Sequence, residues 1–383
     1  MNPDKISIKE ISEIKNLVEK ITQKTIAPQA KERDLNGAFP WEGIQAIGEA
    51  GLLCAVLSED YGGSSLGRNG FAAMVAEVAK SCASTALIWV SHVIVAKALE
   101  VAASEPLKKK WLPLMAKGQA LGAVAVHEPD SGCNAAAIKT RARKDHDHYL
   151  VKGSKFFITS AGEAQIYLVL VRTDPEKGPQ GMSMLIIDKE TEGLSFGRVE
   201  DRLGMRSSSS REIFFDDCRV PVENLIGMEG GWTEVMGKSI MGWGFFGAAA
   251  ISLGLAKSAS ELAIKHARER MIAGQPIGVH QAVQFMISDM VLGTESAEAY
   301  LTSCAASADA FPEKAAINGF KSKLLASEMA IEVTNKAIQV LGGHGYCRDY
   351  TVERLFRDAR GLTLHFKTSE WLRQDIAKAA MGL

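Results

Sequence analysis

The first third of the chain carries apolar residues at helical spacing. Ile11, Ile14, Val18 and Ile21 recur every three or four positions within residues 6–26, with charged residues between them. This spacing is typical of an amphipathic helix. The same spacing, or a helical composition, predicts four further helices at residues 41–51, 68–80, 83–103 and 105–118.

The pattern changes near Gly122 to short runs rich in aliphatic and aromatic residues. Four such runs lie at residues 148–160, 166–173, 181–188 and 211–220. Clusters of turn-forming residues separate them, as expected for strands joined by turns. The pattern predicts an all-β module of about 110 residues.

Long helices return from Gly231 onward, with breaks at residues 273–276, 311–312 and 341–345. The order of the 383 residues is therefore helical, β, helical, an α+β fold. The economical architecture is one helical domain formed from both ends of the chain, with the β module set between them. We place the domain boundaries at residues 1–121, 122–232 and 233–383.

Charge and cysteine content exclude several classes of protein. The 44 Lys and Arg residues nearly balance the 45 Asp and Glu residues, giving a formal net charge of −1, which argues against a nucleic-acid binder. None of the six cysteines forms a CxxC pair. We therefore expect reduced thiols, no metal site and a cytoplasmic protein.

Two segments bear on targeting and membranes. The N-terminal residues are partly acidic and contain no apolar signal core, so they predict neither a secretory signal nor a transit peptide. Residues 239–256 carry no charge and reach the length of a membrane span. They are rich in Gly and Ala and pass directly into a charged helix, so we interpret them as a buried helix and expect no membrane span.

Several motifs, in order, resemble those of the acyl-CoA dehydrogenase family. They include SEDYGGSSLG at 58–67, HEPDSGCNAA at 127–136, GSKFFITSAGEA at 153–164, DRLGMRSSSS at 201–210, ARERMIAGQPIG at 267–278, QVLGGHGY at 339–346 and VERLFRDAR at 352–360. The resemblance implies an N-terminal helical domain, a middle β-barrel and a C-terminal four-helix bundle. It also implies bound FAD, an acyl-CoA substrate, a homotetramer built as a dimer of dimers, and an electron-transfer flavoprotein as electron acceptor.

The resemblance also implies a set of cofactor-binding residues. Thr159 matches the threonine whose hydroxyl faces flavin N5, and Arg270 matches the arginine that pairs with the FAD pyrophosphate. The other matching positions are Val126, Gln281, Gln339, Gly342, Gly343 and Thr368, of which the loop at 339–343 would come from a neighbouring subunit. Five positions depart from the family: Phe157 replaces a tryptophan, His127 a threonine and Glu370 a glutamine, while Ile272 and Ala273 replace a polar residue and a phenylalanine around the pyrophosphate. FMN remains the alternative cofactor.

The catalytic base of the family is missing from both of its usual positions. Most members carry a glutamate where this chain has Phe366, and some carry it where this chain has Gly244. Phe245 replaces an arginine that helps to hold the substrate. In the β domain, Cys133 replaces a serine that contacts the acyl-CoA. His127 and His365 are the candidate bases, because a histidine can titrate near neutral pH, and Lys367 would bring a cation to the pocket mouth.

Three hypotheses follow for the function. The first is an FAD-dependent oxidoreductase with a relocated base that acts on an acyl thioester, with an alicyclic or otherwise unusual acyl group as one option. The second is a flavoenzyme of the same fold with other chemistry: a redox-neutral elimination such as desulfination, an acyl-carrier-protein substrate, or an oxygenase. The third is an inactive flavin-binding or empty subunit.

Overall fold

Six α-helices precede the first strand in the computed structural model, which describes residues 8–383. They are α1 (Ile8–Ile21), α2 (Ala30–Asn36), α3 (Trp41–Glu49), α4 (Arg68–Ala79), α5 (Ala83–Ala102) and α6 (Glu105–Ala116). The helices predicted for this region are confirmed, and a π-helical turn at Thr22–Ile26 continues α1. The beginning of the prediction at residues 6–26 lies outside the described residues. Helix α5 is apolar on nearly all sides and buried along most of its length, so it forms the centre of this domain.

The middle of the chain forms one eight-stranded sheet. Its strands are β1 (Gly122–Ala125), β2 (Arg141–Asp145), β3 (His148–Thr159), β4 (Ile166–Arg172), β5 (Met182–Asp188), β6 (Leu194–Phe196), β7 (Ser210–Pro221) and β8 (Leu225–Ile226). Their order is β6-β7-β3-β2-β4-β5-β8, with β1 parallel to β4. The predicted strand runs are confirmed. Strands β4 and β5 are almost continuously buried, as expected where both faces of a sheet are covered.

The longest strand pair contains the irregularity that matters most for the site. Strands β3 and β7 pair antiparallel from His148 to Thr159, but their register shifts between Lys155 and Ile158. Phe157 lies in this interval and has a φ of 55°. A β-bulge of this kind re-aims side chains locally, and here it does so at a residue that lines the cavity described below.

The C-terminal part is helical. Its elements are α7 (Trp232–Met236), a π-helix (Gly237–Gly244), α8 (Phe245–Glu269), the short hairpin of β9 (Met271–Ile272) and β10 (Gln275–Pro276), α9 (Gln281–Ala310), α10 (Ala315–Leu341), α11 (Val352–Leu362) and α12 (Ser369–Met381). Helix α10 packs against α8, α9 and α11, which gives the predicted helical bundle.

The apolar stretch at 239–256 is a buried helix, as the sequence predicts. Two helical stretches, Ala83–Ala102 and Trp232–Glu269, are long and apolar enough to cross a membrane. However, 78% and 94% of their most apolar windows are buried inside the protein. Packing within the fold therefore accounts for their composition.

One arginine ties the three parts together. The guanidinium of Arg357, on α11, donates to both carboxylate oxygens of Asp34 on α2 at 3.1 and 2.6 Å. It also donates to the Leu203 carbonyl, in the middle part, at 2.9 Å. These contacts lie beside a large cavity that Leu203 and Arg357 both line, so the ends of the chain and the β domain hold fixed positions around it.

Candidate active site

An inner cavity of about 850 Å³ lies where the three parts of the chain meet. Helix α5 contributes Leu87 and Ser91 to its lining. The β domain contributes Val124, Val126, His127, Cys133, Ala135, Phe157, Ile158 and Thr159. The C-terminal part contributes Met236, Ile240, Met241, Phe245, His365, Phe366 and Lys367. The structure thus brings together nine of the predicted site residues, from segments more than 200 positions apart.

The β side of the cavity is supported by a buried ion pair. The Lys155 ammonium is fully buried and donates to the Val126 carbonyl at 3.1 Å and to Glu128 Oε1 at 2.8 Å. Burial lowers the pKa of Lys155 to about 8, although Glu128 opposes the shift. Burial alone would raise the pKa of Glu128, but the Lys155 ammonium and hydrogen bonds from residues 139 and 140 hold it below its ordinary value.

This ion pair was missed by the sequence analysis. Lys155 occupies an inward position of β3, between the buried Val151 and Ile158. A lysine that is buried needs a polar or charged partner, so its place in the strand pattern could have indicated the ion pair. By fixing the Val126 carbonyl, Lys155 joins β3 to the end of β1. The backbone N–H of Phe156 donates to the His127 carbonyl at 2.8 Å and strengthens the same junction.

The helical side of the cavity is aromatic. The Phe366 ring lies 5.6 Å from the Phe245 ring, which in turn lies 4.7 Å from Phe320. Phe366 has a φ of 63°, a left-handed conformation that is rare for a bulky side chain. Such backbone outliers concentrate at functional sites, and Phe157, on the opposite side of the same cavity, is a second one.

The two expected positions of the base meet at one point. A Cβ atom added to Gly244 would lie 3.0 Å from Phe366 Cε1 and 2.8 Å from Ile94 Cδ1. Gly244 therefore lies directly behind Phe366 and leaves room for its ring. Among residues 8–383, those that line the inner cavity include no aspartate or glutamate.

Both candidate histidines lie at this aromatic wall, and both are held neutral. Burial lowers the pKa of His365 to about 4, although its hydrogen bond to Gly361 opposes the shift. Arg202, Lys323 and His127 lower it further. Burial and Lys155 also lower the pKa of His127, while a hydrogen bond to the Phe366 backbone opposes them.

The hydrogen bond of His365 defines its tautomer. Its Nδ1 lies 2.8 Å from the Gly361 carbonyl, and a carbonyl can only accept, so Nδ1 carries the proton. In the neutral imidazole, Nε2 then has a free lone pair. His365 lines both the inner cavity and the outer cavity described below.

Two lysines surround the segment that follows Phe366. Lys323, on α10, is fully buried and donates to the Lys367 carbonyl at 2.7 Å. Burial lowers the pKa of Lys323 to about 8. The sequence analysis missed this residue, although a lysine on the apolar face of α10 with Phe320, Ser327 and Ala330 was a detectable signal. Lys367 lines the cavity, and its ammonium pairs with Asp375 at 2.6 Å.

An outer cavity of about 1710 Å³ continues from the inner one. The two share His127, Cys133, Phe157, His365 and Phe366. The outer lining also includes residues 200–205, Arg360 and Leu364. Phe157 is 57% exposed here, although burying a phenylalanine is favourable. An exposed, strained aromatic side chain beside a roomy cavity fits a flat aromatic ring such as a flavin.

The remaining cofactor candidates lie away from both cavities. Arg270, Gln281, Gln339, Gly342 and Gly343 are all exposed on the helical part of the chain. Arg270 and the glycine loop are brought near each other, because the rings of His266 and His344 lie 5.9 Å apart.

The glycines of this loop have open surroundings. Gly342 has a φ of 60°, and a Cβ atom added to it or to Gly343 would meet no atom within 4 Å. Thr368 and Glu370 lie at the start of α12, next to Lys367, and the Glu370 side chain is exposed.

Comparisons with known proteins agree with this architecture. Three family models match the chain: the acyl-CoA dehydrogenase N-terminal domain at residues 9–119, the middle domain at 123–218 and the C-terminal domain at 229–381. The chain is 36% identical over 373 residues to an acryloyl-CoA reductase (NADH) from Anaerotignum propionicum, covering 96% of this chain and 93% of that protein.

Two further relatives widen the range of acyl groups. The chain is 36% identical over 359 residues to a cyclohex-1-ene-1-carbonyl-CoA dehydrogenase from Syntrophus aciditrophicus, covering 93% of this chain and 86% of that protein. Among solved structures, the butyryl-CoA dehydrogenase from Megasphaera elsdenii superimposes with a TM-score of 0.94 at 31% identity, covering 98% of this chain and all of that one.

Proposed function

Because this chain belongs to the acyl-CoA dehydrogenase family and is an oxidoreductase of that type, we propose that it oxidises an acyl-CoA with bound FAD, using a histidine in place of the usual glutamate. The observation that carries the proposal is the two-part cavity between Thr159 and Phe366, with His365 and His127 in its wall.

The β side would hold the flavin. Thr159 offers a hydroxyl, and Phe157 offers a ring face at the junction of the two cavities. When bound, FAD supplies the hydride acceptor. The Lys155–Glu128 pair joins β3 to the segment that follows β1, behind these side chains.

A second copy of the chain would complete the cofactor site. Arg270, Gln339 and the glycine loop are exposed in the single chain, and an arginine with nearby open glycines suits a pyrophosphate. Exposed apolar side chains surround this region, including Met271, Ile272, Val279 and Phe285, each at least half exposed. Contiguous apolar surface of this kind marks an interface, and we propose the homotetramer of the family.

The substrate would enter between the flavin site and the aromatic wall. Phe245 and Phe366 would pack against the acyl group, and the residues from Met236 to Met241 would close the inner end. A neutral histidine would take the substrate proton: His365 through its free Nε2, or His127 at the same wall. Electrons would leave to an electron-transfer flavoprotein.

The test is anaerobic reduction of the purified holoprotein. Adding straight-chain and alicyclic acyl-CoA thioesters should bleach the visible absorbance of the oxidised flavin, because the flavin accepts the hydride. We expect His365→Gln or His127→Gln to slow bleaching by about 10²-fold or more, the usual contribution of a general base. A colourless protein, or a yellow one that no acyl-CoA bleaches, contradicts the proposal.

One observation favours a second candidate, a redox-neutral elimination. Around the inner cavity the described side chains provide histidines, lysine and aromatic rings but no carboxylate. Desulfination of a β-sulfino acyl thioester releases SO2, which water converts to sulfite, and leaves the bonding electron pair on the β-carbon, which then takes up a proton, so this reaction needs a proton donor rather than a base at the α-carbon. Turnover of a β-sulfino acyl-CoA to the desulfinated thioester and sulfite, without any bleaching, would support this candidate over oxidation.

A further inference from the structure

The inner end of the cavity is formed by an unusual helical segment. The π-helix Gly237–Gly244 interrupts the long helical stretch Trp232–Glu269. A π-helix makes wider turns than an α-helix and is frequent at functional sites. A buried backbone carbonyl without a partner is costly, so a donor from outside such a segment stabilises it.

The wider turns decide which side chains face the cavity. Met236 and Phe245 both line it, and they are nine residues apart. At about 100° per residue, a regular α-helix would place two such residues on opposite faces. The π-helix therefore brings Phe245 onto the same face as Met236, opposite Phe366.

Arg68 provides the outside contact. Its Nε donates to the Gly242 carbonyl, inside the π-helix, at 2.7 Å. Its Nη1 pairs with Asp309 at 2.7 Å, and its backbone N–H donates to the same carboxylate at 2.9 Å. The arginine thus joins the start of α4, the π-helix and the end of α9.

The same guanidinium also holds a side chain of the π-helix. It lies 4.7 Å from the centre of the Trp243 ring, and the Lys97 ammonium lies 5.2 Å from that ring. A cation over an indole face is attracted to it. The edge of Trp243 packs against Phe71, with ring centres 5.8 Å apart, so backbone and side chain are both anchored on the N-terminal domain.

We infer that Arg68 is a positioning residue that keeps Gly237–Gly244 in the π conformation and thereby sets the shape of acyl group that the cavity accepts. The part of the inference that concerns the acyl group rests on the proposed function. The part that concerns the π conformation of Gly237–Gly244 does not. Within residues 8–383, the side-chain hydrogen bonds and the ion pair of Arg68 reach Gly242, Ala308 and Asp309, none of which lines the inner cavity. The loss of Arg68 should therefore change selectivity more than the chemical step.

The structural arm of the test measures amide hydrogen exchange in the holoprotein. Arg68→Met should speed exchange across residues 237–244 by about tenfold or more, because the Gly242 carbonyl loses its anchor. Arg68→Lys should be intermediate, since an ammonium cannot reproduce the fork that reaches Gly242 and Asp309 together. Lys97→Met is the matched control: it removes the second cation over Trp243 and should leave exchange unchanged.

The selectivity arm compares kcat and KM for butyryl-CoA and cyclohexanecarbonyl-CoA. In Arg68→Met the ratio of kcat/KM between the two should shift at least fivefold, mainly through KM, and Arg68→Lys should restore part of it. Unchanged exchange, or an equal loss on both thioesters, overturns the inference. If the wild-type protein oxidises neither thioester, the proposed function fails, whereas the exchange arm still decides the role of Arg68.

Discussion

The two walls of the cavity are built on opposite principles. The β wall is polar at its base: Lys155 and Glu128 form a buried ion pair, and Thr159 presents a hydroxyl. The helical wall is made of rings, with Phe245 and Phe366 in contact and Gly244 behind them. It includes His365, which burial holds in its neutral form, and His127 of the β domain meets it through a hydrogen bond to the Phe366 backbone.

The difference shows which half of the site is free to vary. A buried ion pair is costly to break, because the remaining charge stays desolvated, so the β wall tolerates little change. An aromatic wall only requires that volumes match, and hydrophobic side chains of similar volume exchange at small cost. The helical wall is therefore the part of the site that can change at the smaller cost in stability.

The largest effect is expected from restoring an acid to the helical wall. Phe366→Glu should place a carboxylate in an apolar cavity, where burial raises its pKa and suits it to act as a base. In a background that carries His365→Gln and His127→Gln, exchange of the substrate α-proton with deuterated water, measured by mass spectrometry on an acyl-CoA, should rise about 10²- to 10⁴-fold. Phe366→Leu is the control without a base. Equal exchange in the two variants would show that this wall does not face the α-carbon.

The next effect tests the β wall. Lys155→Met should lower the free energy of unfolding by about 3–5 kcal/mol, because Glu128 then remains buried and unpaired. Denaturant unfolding measures the change. Lys152→Met, on the same strand but with a half-exposed ammonium paired to two exposed aspartates, should cost less than about 1 kcal/mol. Similar losses in both variants would refute the distinction.

A third prediction concerns pH and the helix α5, which also lines the cavity. His92 is fully buried; its Nδ1 accepts from the Gly122 N–H at 3.2 Å, and its Nε2 lies 3.2 Å from the Met115 carbonyl. Burial lowers the pKa of His92 from 6.5 to about 4, although the bond to Met115 opposes the shift. The unfolded chain therefore binds a proton between pH 6.5 and 4 that the folded chain does not.

The neutral form of His92 therefore makes its full contribution to the free energy of unfolding above about pH 6.5. This contribution falls by about 3 kcal/mol as the pH drops to 4. Urea unfolding at several pH values should show this loss, and His92→Gln should flatten the curve in that window. The exposed His146→Gln serves as control and should leave the curve unchanged. A curve unaffected by His92→Gln would contradict the assignment.

The smallest effect tests how tightly the helical wall is packed. Gly244→Ala should cost about 1–2 kcal/mol, since the new methyl group would press on Ile94 and Phe366. Gly237→Ala, in the same π-helix, would meet no atom within 4 Å and should be neutral or slightly stabilising. Thermal unfolding of the two variants compares them directly, and equal stabilities would show that the wall yields easily.

Local sequence patterns were sufficient for the order of elements. Burial leaves a local pattern of apolar residues along each element. This pattern is visible in the helical spacing of α1, the strand runs of β3 to β5 and the uncharged stretch in α8. The family motifs also identified Thr159, Phe157 and Phe366 as residues of one site, because their positions within each motif are local features of the chain.

Only the tertiary structure determined the relations between distant residues. Three such relations depend on how helices from both ends of the chain pack together. Gly244 lies behind Phe366, Lys323 binds the Lys367 carbonyl, and Arg68 anchors Gly242. The neutrality of His365 likewise depends on burial and on cations brought from other segments. Periodicity along the chain contains no information on these contacts, because they arise from close packing between elements. Only the folded chain determines which distant residues touch and how far each side chain is removed from water.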